Sequence, residues 1–249
     1  MSKEPKIYKR FSVIFIIMNK ITIAIDGFSS TGKSTLAKEL AKKLEYVYVD
    51  TGAMHRAVTL HAMQNGLIKN GNIDRESLLK ELDSIDMKFV FNQELGFAEM
   101  FLNGENVEKD IRTLDVSKNV SQIAEIKEVR SRLVSLQKEM GKDKGIVMDG
   151  RDIGTVVFPE AELKIFMTAS LEKRAVRRYK ELLDRGEDVK YEDILENVQK
   201  RDYIDSHRET SPLKKAEGAV EFDNSDMGLV QQFERMYEHS LRVIAKHQA

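Results

Sequence analysis

The chain has 249 residues, enough for one large domain or a core carrying a small insertion. Its charged residues, 33% of the total, nearly cancel to a formal −1, which gives no support to binding a nucleic-acid polymer but leaves room for a local basic pocket around a small anion. It contains no cysteine, so disulfides and thiolate metal sites are excluded.

At the N-terminus, KIYKRFSVIFIIMNK sets basic residues before an apolar run from Phe11 to Met18. That run is too short to span a bilayer, and a second apolar strand follows at Ile21 with no small-residue cleavage site between them. Residues 1–17 are expected to be a dispensable extension, with Met18 as the working start.

ITIAI (21–25) is apolar on both faces, the mark of a central parallel strand. A glycine-rich turn follows, then a helix from KSTLAKELAKKL, a strand from YVYV (46–49), and a helix from GAMHRAVTLHAMQNG that ends at glycine. Strands alternating with helices of this length predict an α/β fold, with a mainly parallel sheet between two helical layers. Between residues 67 and 112 the pattern changes. DRESLLKELDSI reads as a short helix, MKFVFN alternates as a half-buried strand, and AEMFLNGENV carries the Asn103-Gly104 hairpin signal. Helical patterns return over 113–140, strands over 145–149 and 163–167, and charged helices over 170–186 and 191–206. AVEFDNSD supplies a last strand before a closing helix. The expected organisation is a core of residues 18–66 and 113–249, an α+β insertion over 67–112, and a mobile charged lid over about 171–188.

GFSSTGKS fits G-x-x-x-x-G-K-[ST], with a strand before it and a helix after it, which is the context this phosphate-binding loop requires. The backbone from Gly27 through Phe28, Ser29, Ser30, Thr31 and Gly32 to Lys33, Ser34 and Thr35 would cradle the phosphates of ATP at a helix N-terminus. Lys33 would reach the β- and γ-phosphates, and the Ser34 hydroxyl would ligate Mg²⁺. No Asn-Lys-x-Asp loop follows, which disfavours a guanine-selective switch. MDGRD ends a strand in acids, as an ATPase motor would, but its arginine is out of place in a purely metal-binding site. Arginines recur elsewhere in groups. Arg174, Arg177 and Arg178 share a helix face, as do Arg201, Asp205 and Arg208. Each group alone reads as a solvated face; beside a phosphate-binding loop, together they suggest a second phosphate.

AIDGFSSTGKST, VDTGAMHR, DIRT, VSQIAEIKEVR, DGRDIGTVVFP, KIFMTASLEKRAVRR and KRDYIDSHRETSPL occur in the order found in bacterial cytidylate kinases, and the chain resembles that family from about Ile21 to its end. The resemblance implies transfer of phosphate from ATP to CMP or dCMP with Mg²⁺. The implied partners are small molecules only, with no nucleic-acid polymer and no membrane, for a monomer in the cytoplasm. It implies that Thr51 and Arg56 hold the acceptor phosphate, supported by Arg112 and Arg151. Ser121, Arg130 and Asp152 would read the base, Arg208 would bridge base and phosphate, and Arg201 and Asp205 would contact the ribose. Arg174, Arg177 and Arg178 would form the lid, and Asp149 would orient Mg²⁺-bound water. A carboxylate at Asp152 suits the 4-amino donor of cytosine and opposes the oxygen of uracil.

His55 departs from the family's usual tyrosine in DTGAMHR. The favoured expectation is a tolerated substitute with little kinetic effect; the alternative is acceptor binding sensitive to pH near neutrality. His61, His207, His239 and His247 have no metal-ligand spacing and are assigned no role. Competing readings are the same chemistry on another acceptor such as a different monophosphate or shikimate, a nucleotide switch without an acceptor, and an inactive relative. The intact Lys33 and Ser34 disfavour the last.

Overall fold

The computed structural model describes residues 20–247; the expectation for residues 1–17 lies outside them. Its centre is a sheet of five parallel strands, β1 (Thr22–Gly27), β2 (Val47–Asp50), β8 (Ile146–Gly150), β9 (Leu163–Thr168) and β10 (Val220–Asp223), in the order β10-β9-β1-β8-β2. The fold is α/β, as the alternating pattern predicts.

Strand β1 shows why the sheet sits at the centre. Ile23 and Ile25 pack with α1 (Lys33–Leu44) and the C-terminal α8 (Leu229–Lys246), whereas Ala24 points the other way to Val49, Met148, Ile153 and Val157. All six residues of β1 are buried, so both faces of the strand are covered by apolar side chains. The chain passes from β1 to β2, returns through β8 between them, and then crosses to β9 on the far side of β1. The connections therefore diverge at β1 and β8, and a crevice opens beyond their carboxyl ends.

Helix α2 (Thr51–Gln64) starts directly from β2, with Asp50 capping it by accepting the Ala53 N–H at 3.0 Å. Its apolar face joins the segment after it in one buried cluster, with Leu78 and Leu82 from α3 (Arg75–Glu81) and its following turn, and Met100 and Leu102 from the ribbon beyond. That segment holds a two-stranded ribbon, β3 (Ile68–Lys69) with β4 (Asn72–Ile73), and an antiparallel sheet of β5 (Met87–Asn92), β6 (Phe97–Leu102) and β7 (Glu105–Asn106). Asn103 and Gly104 both have positive φ, 50° and 88°, as the two-residue hairpin requires. Asn70 and Gly71 close β3 to β4 in the same way; the Asn-Gly signal stands there too, but without strand periodicity on either side.

The helical stretch after residue 113 breaks at the extended Ile126 into α4 (Leu114–Glu125) and α5 (Lys127–Met140). Helices α6 (Leu171–Asp184) and α7 (Tyr191–His207) pack through Leu182, Ile194 and Val198. Arg208 lies one residue past α7 in an extended conformation, so the shared face expected for Arg201, Asp205 and Arg208 is helical only for the first two.

Candidate active site

The loop after β1 is set by a close backbone approach. A Cβ on Gly27 would lie 2.0 Å from the carbonyl oxygen of Met167 in β9, and its φ of 145° is itself unsuited to other residues. The chain then turns through Ser30 (φ 60°) and Gly32 (φ 87°) into α1, whose first turn carries Lys33 and Ser34. Lys33 is buried; its Nζ donates to the Phe28 carbonyl at 2.6 Å and to Thr31 Oγ1 at 3.3 Å. Burial, reinforced by the nearby Arg151, draws its amine down to about 7. An anion beside it would reverse that shift.

Neighbouring elements clamp this loop. Asp202 of α7 accepts the Ser29 N–H at 3.3 Å, and Arg174 donates to Asp202, to the Ser29 carbonyl at 3.2 Å and to the Ala169 carbonyl at 2.9 Å. Asn224, just past β10, donates to the Thr31 carbonyl at 2.8 Å, while its own carbonyl groups receive Arg177 at 2.8 and 2.9 Å.

Register sets the carboxylates. Asp50 pairs with Asp149 across β2 and β8, and Asp26 with Gly150 across β1 and β8. Asp149 accepts Ser34 Oγ–H at 3.0 Å and the Tyr48 hydroxyl at 2.8 Å; burial, then the nearby Asp50, raise it to about 6. Thr51 Oγ1 donates to the Asp149 carbonyl at 2.7 Å. Burial would raise Asp50 too, but Arg112 at 2.7 Å holds it below the usual carboxylate range. Asp26 accepts the N–H groups of Ile153 and Gly154 at 2.8 and 2.7 Å, which fixes the single π-helical turn Ile153–Val157.

Before these strand ends lies a cavity of about 810 Å³, lined by the loop from Ser29 to Thr35, Asp149, Gly150 and seven arginines, including Arg56, Arg112, Arg151, Arg177, Arg178 and Arg201. With three lysines against five carboxylates, it is strongly basic in a chain whose overall formal charge is −1. Arg174 is not among the lining residues; it is turned onto the loop backbone. Two of the lining guanidiniums hold backbone: Arg56 donates to the Ile111 carbonyl at 3.0 Å, and Arg178 donates to the Arg112 carbonyl at 2.8 Å while also pairing with Glu181 at 2.9 Å. Burial, with Arg151 next to it, draws Arg201 down to about 10.

Behind Arg151 lies a second buried cluster. Arg151 donates to Asp205 at 2.8 Å, and Ser121 donates to the same carboxylate at 3.3 Å. Arg208 lies 3.8 Å from Asp205 and donates to the Ser211 carbonyl at 2.8 Å. Arg130 pairs with Asp152 and also donates to the Ala124 carbonyl at 3.0 Å. Four nitrogens around this cluster are buried without a partner: His55 Nε2, Arg130 Nε, Arg201 Nε and Arg208 Nη2. Native interiors rarely leave such atoms unpaired, so they mark a place for polar ligand atoms. His55 Nδ1 lies 3.1 Å from the Thr51 carbonyl, and burial with Arg130 nearby pulls the ring down to about 4. The unliganded imidazole is therefore neutral near pH 7, and an acceptor phosphate beside it would oppose that shift.

The cytidylate kinase profile matches residues 23–241. The chain belongs to the cytidylate kinase family. It is 64% identical to a cytidylate kinase of Flavobacterium johnsoniae over 89% of this chain and 96% of that one. A cytidylate kinase of Flavobacterium psychrophilum is 61% identical (87% and 96% covered), and one of Bacteroides thetaiotaomicron 54% identical (91% and 99% covered). As the family implies, the chain is a phosphotransferase. Among the described residues, no helix is long and apolar enough to cross a membrane, and no three His, Asp or Glu side chains are grouped to hold a metal.

Sequence reasoning missed Tyr48, Asp202, Asn224 and Asp26. Each acts through a contact more than 100 residues away along the chain, and only Asp26, beside the loop motif, carried a local signal.

Proposed function

We propose that the chain transfers the γ-phosphoryl group of ATP to the phosphate of CMP or dCMP, giving ADP and CDP or dCDP. The observation that carries this reading is a single basic cavity in which the phosphate-binding loop faces Arg56, Arg151 and Arg201, backed by a buried cluster with unpaired polar nitrogens. One anion on the loop and another on the arginines would stand face to face, and the base would extend into the cluster behind.

Phosphoryl transfer leaves the protein mainly positioning and charge neutralisation to perform. Lys33, Arg177 and Arg178 neutralise the transferring group, while Arg174 holds the loop that carries it. Thr51, Arg56 and Arg151 take the acceptor phosphate, whose oxygen is already ionised and needs no general base, and Arg201 reaches the ribose. Ser34 and the carboxylate of Asp149 are hard oxygen donors that suit Mg²⁺, Asp149 through a water. Held there, Mg²⁺ would offset the negative charge on the donor phosphates.

Asp152 accepts the 4-amino group of cytosine, and Arg130 supplies donors to the ring acceptors. Asp205, held by Arg151 and Ser121, meets a sugar edge, so ribose and deoxyribose both fit. The segment 67–112 acts as the monophosphate-binding part and 171–188 as a lid; their closure excludes water and suppresses hydrolysis.

The test is a coupled ADP-release assay with Mg-ATP and a panel of acceptors. Turnover confined to CMP and dCMP is expected. ADP release without an acceptor, or turnover on an unrelated acceptor alone, would replace this reading.

A further inference from the structure

Asp149 is served by a side chain outside the phosphate-binding loop. Tyr48 in β2 pairs with Val147 of β8, so its side chain emerges two residues before Asp149 and on the same face of the sheet. The phenol runs forward and donates to Asp149 Oδ1 at 2.8 Å, while Ser34 Oγ donates to Oδ2 at 3.0 Å. Both oxygens of this buried carboxylate are thereby committed, each to a different hydroxyl. The Tyr48 ring packs against the apolar cluster under α1, and the Lys38 ammonium lies 5.7 Å from its centroid and 3.6 Å from that of Phe97. A phenylalanine would fill the same space. What the hydroxyl adds is polar: the bond to Asp149 at 2.8 Å, with the Ser34 hydroxyl also close to it.

That bond has a consequence for Ser34. A carboxylate rotates about a broad terminal torsion, and with Oδ1 free it would turn toward whichever donor lay nearest. Anchored by Tyr48, it presents Oδ2 to Ser34, which lines the cavity; once the Ser34 hydrogen is given to Oδ2, its oxygen lone pairs are left to accept or ligate on the cavity side. We propose that Tyr48 is a positioning residue: its hydroxyl fixes Asp149 in the orientation that turns the Ser34 lone pairs to a Mg²⁺ ion on the donor phosphates. The inference rests on the reading that Ser34 and Asp149 serve Mg²⁺. Partners of this outer kind commonly change metal affinity or activity by about 10–100-fold when removed.

The test compares the parent chain, Tyr48→Phe and Asp149→Asn by calorimetric ATP binding without acceptor, once in EDTA and once in Mg²⁺. Tyr48→Phe is expected to match the parent within about twofold in EDTA, which also reports that it is folded, and to lose about tenfold or more of the tightening that Mg²⁺ brings. Its kcat should fall while the KM for CMP holds. An undiminished Mg²⁺ effect would overturn the proposal. So would an equal loss of affinity in both buffers, the signature of a packing role alone. If Asp149→Asn also keeps the full Mg²⁺ effect, the underlying reading of Asp149 fails, and the proposal with it.

Discussion

The pairing of Arg130 with Asp152 makes a sharp prediction about base selection. Both side chains are almost wholly buried, 3% and 7% exposed, and Arg130 has only the Ala124 carbonyl besides. Deleting the carboxylate outright would strand a buried guanidinium, at a cost of about 3–5 kcal/mol in stability. Asp152→Asn is the gentler perturbation. Its carbonyl still accepts from Arg130, and the lost charge assistance costs about 1–3 kcal/mol. Its amide then offers a donor where the carboxylate offered an acceptor. Facing cytosine, that donor meets the 4-amino group; facing uracil, it meets an oxygen. The ratio of kcat/KM for CMP over UMP should therefore fall by about 1–3 kcal/mol, or roughly 5- to 150-fold. Because both substrates are assayed on one variant, loss of folded protein cancels from the ratio. Urea unfolding measures the stability term separately. A ratio within about twofold of the parent, in a folded variant, would remove Asp152 from base recognition.

Three further outcomes follow from other parts of the site. His55 is held at about 4, below its usual 6.5, so the folded chain binds fewer protons than the unfolded one between those values; the stability tied to its neutrality is present above 6.5 and lost as pH falls toward 4. His55→Phe should flatten that acid limb by up to about 3 kcal/mol in urea titrations at pH 4 to 7, and an identical pH profile would contradict the burial argument. Gly27→Ala drives a Cβ into the Met167 carbonyl, adding about 1–3 kcal/mol of overpacking to similar backbone strain; an unchanged melting temperature would refute the contact. Arg174→Lys keeps charge but cannot span the Ala169 and Ser29 carbonyls and Asp202 together, so ATP KM should rise and the melting temperature fall. A lowered kcat with unchanged KM and stability would instead put Arg174 on the transferring phosphate.

Much of this architecture is legible along the chain because its signals are local. ITIAI before GFSSTGKS specifies strand, turn and helix within a dozen residues, and Asn103-Gly104 specifies a hairpin. The ribbon at Asn70-Gly71 carries the same dipeptide, but its strands of two residues show no periodicity to support it. The site divides in the same way. Arg56, Arg151, Arg177 and Arg201 line the cavity as their motifs imply, whereas the direction Arg174 takes depends on Asp202 of the next helix. The neutrality of His55 is likewise invisible in DTGAMHR, since it comes from burial and from Arg130, 75 positions later.

The grip of Asp26 on the Ile153 and Gly154 amides carries a consequence for the entropy of binding. It joins the end of the strand that launches the phosphate loop to the turn that bears Arg151 and Asp152. The floor beneath both nucleotides is thus assembled during folding, before either arrives. Ordering that would otherwise be charged to the encounter of two substrates is already complete, and their affinities can be spent on closing the walls. Amide exchange should find Ile153 and Gly154 among the slowest sites in the chain, and no faster when both substrates are absent than when both are bound.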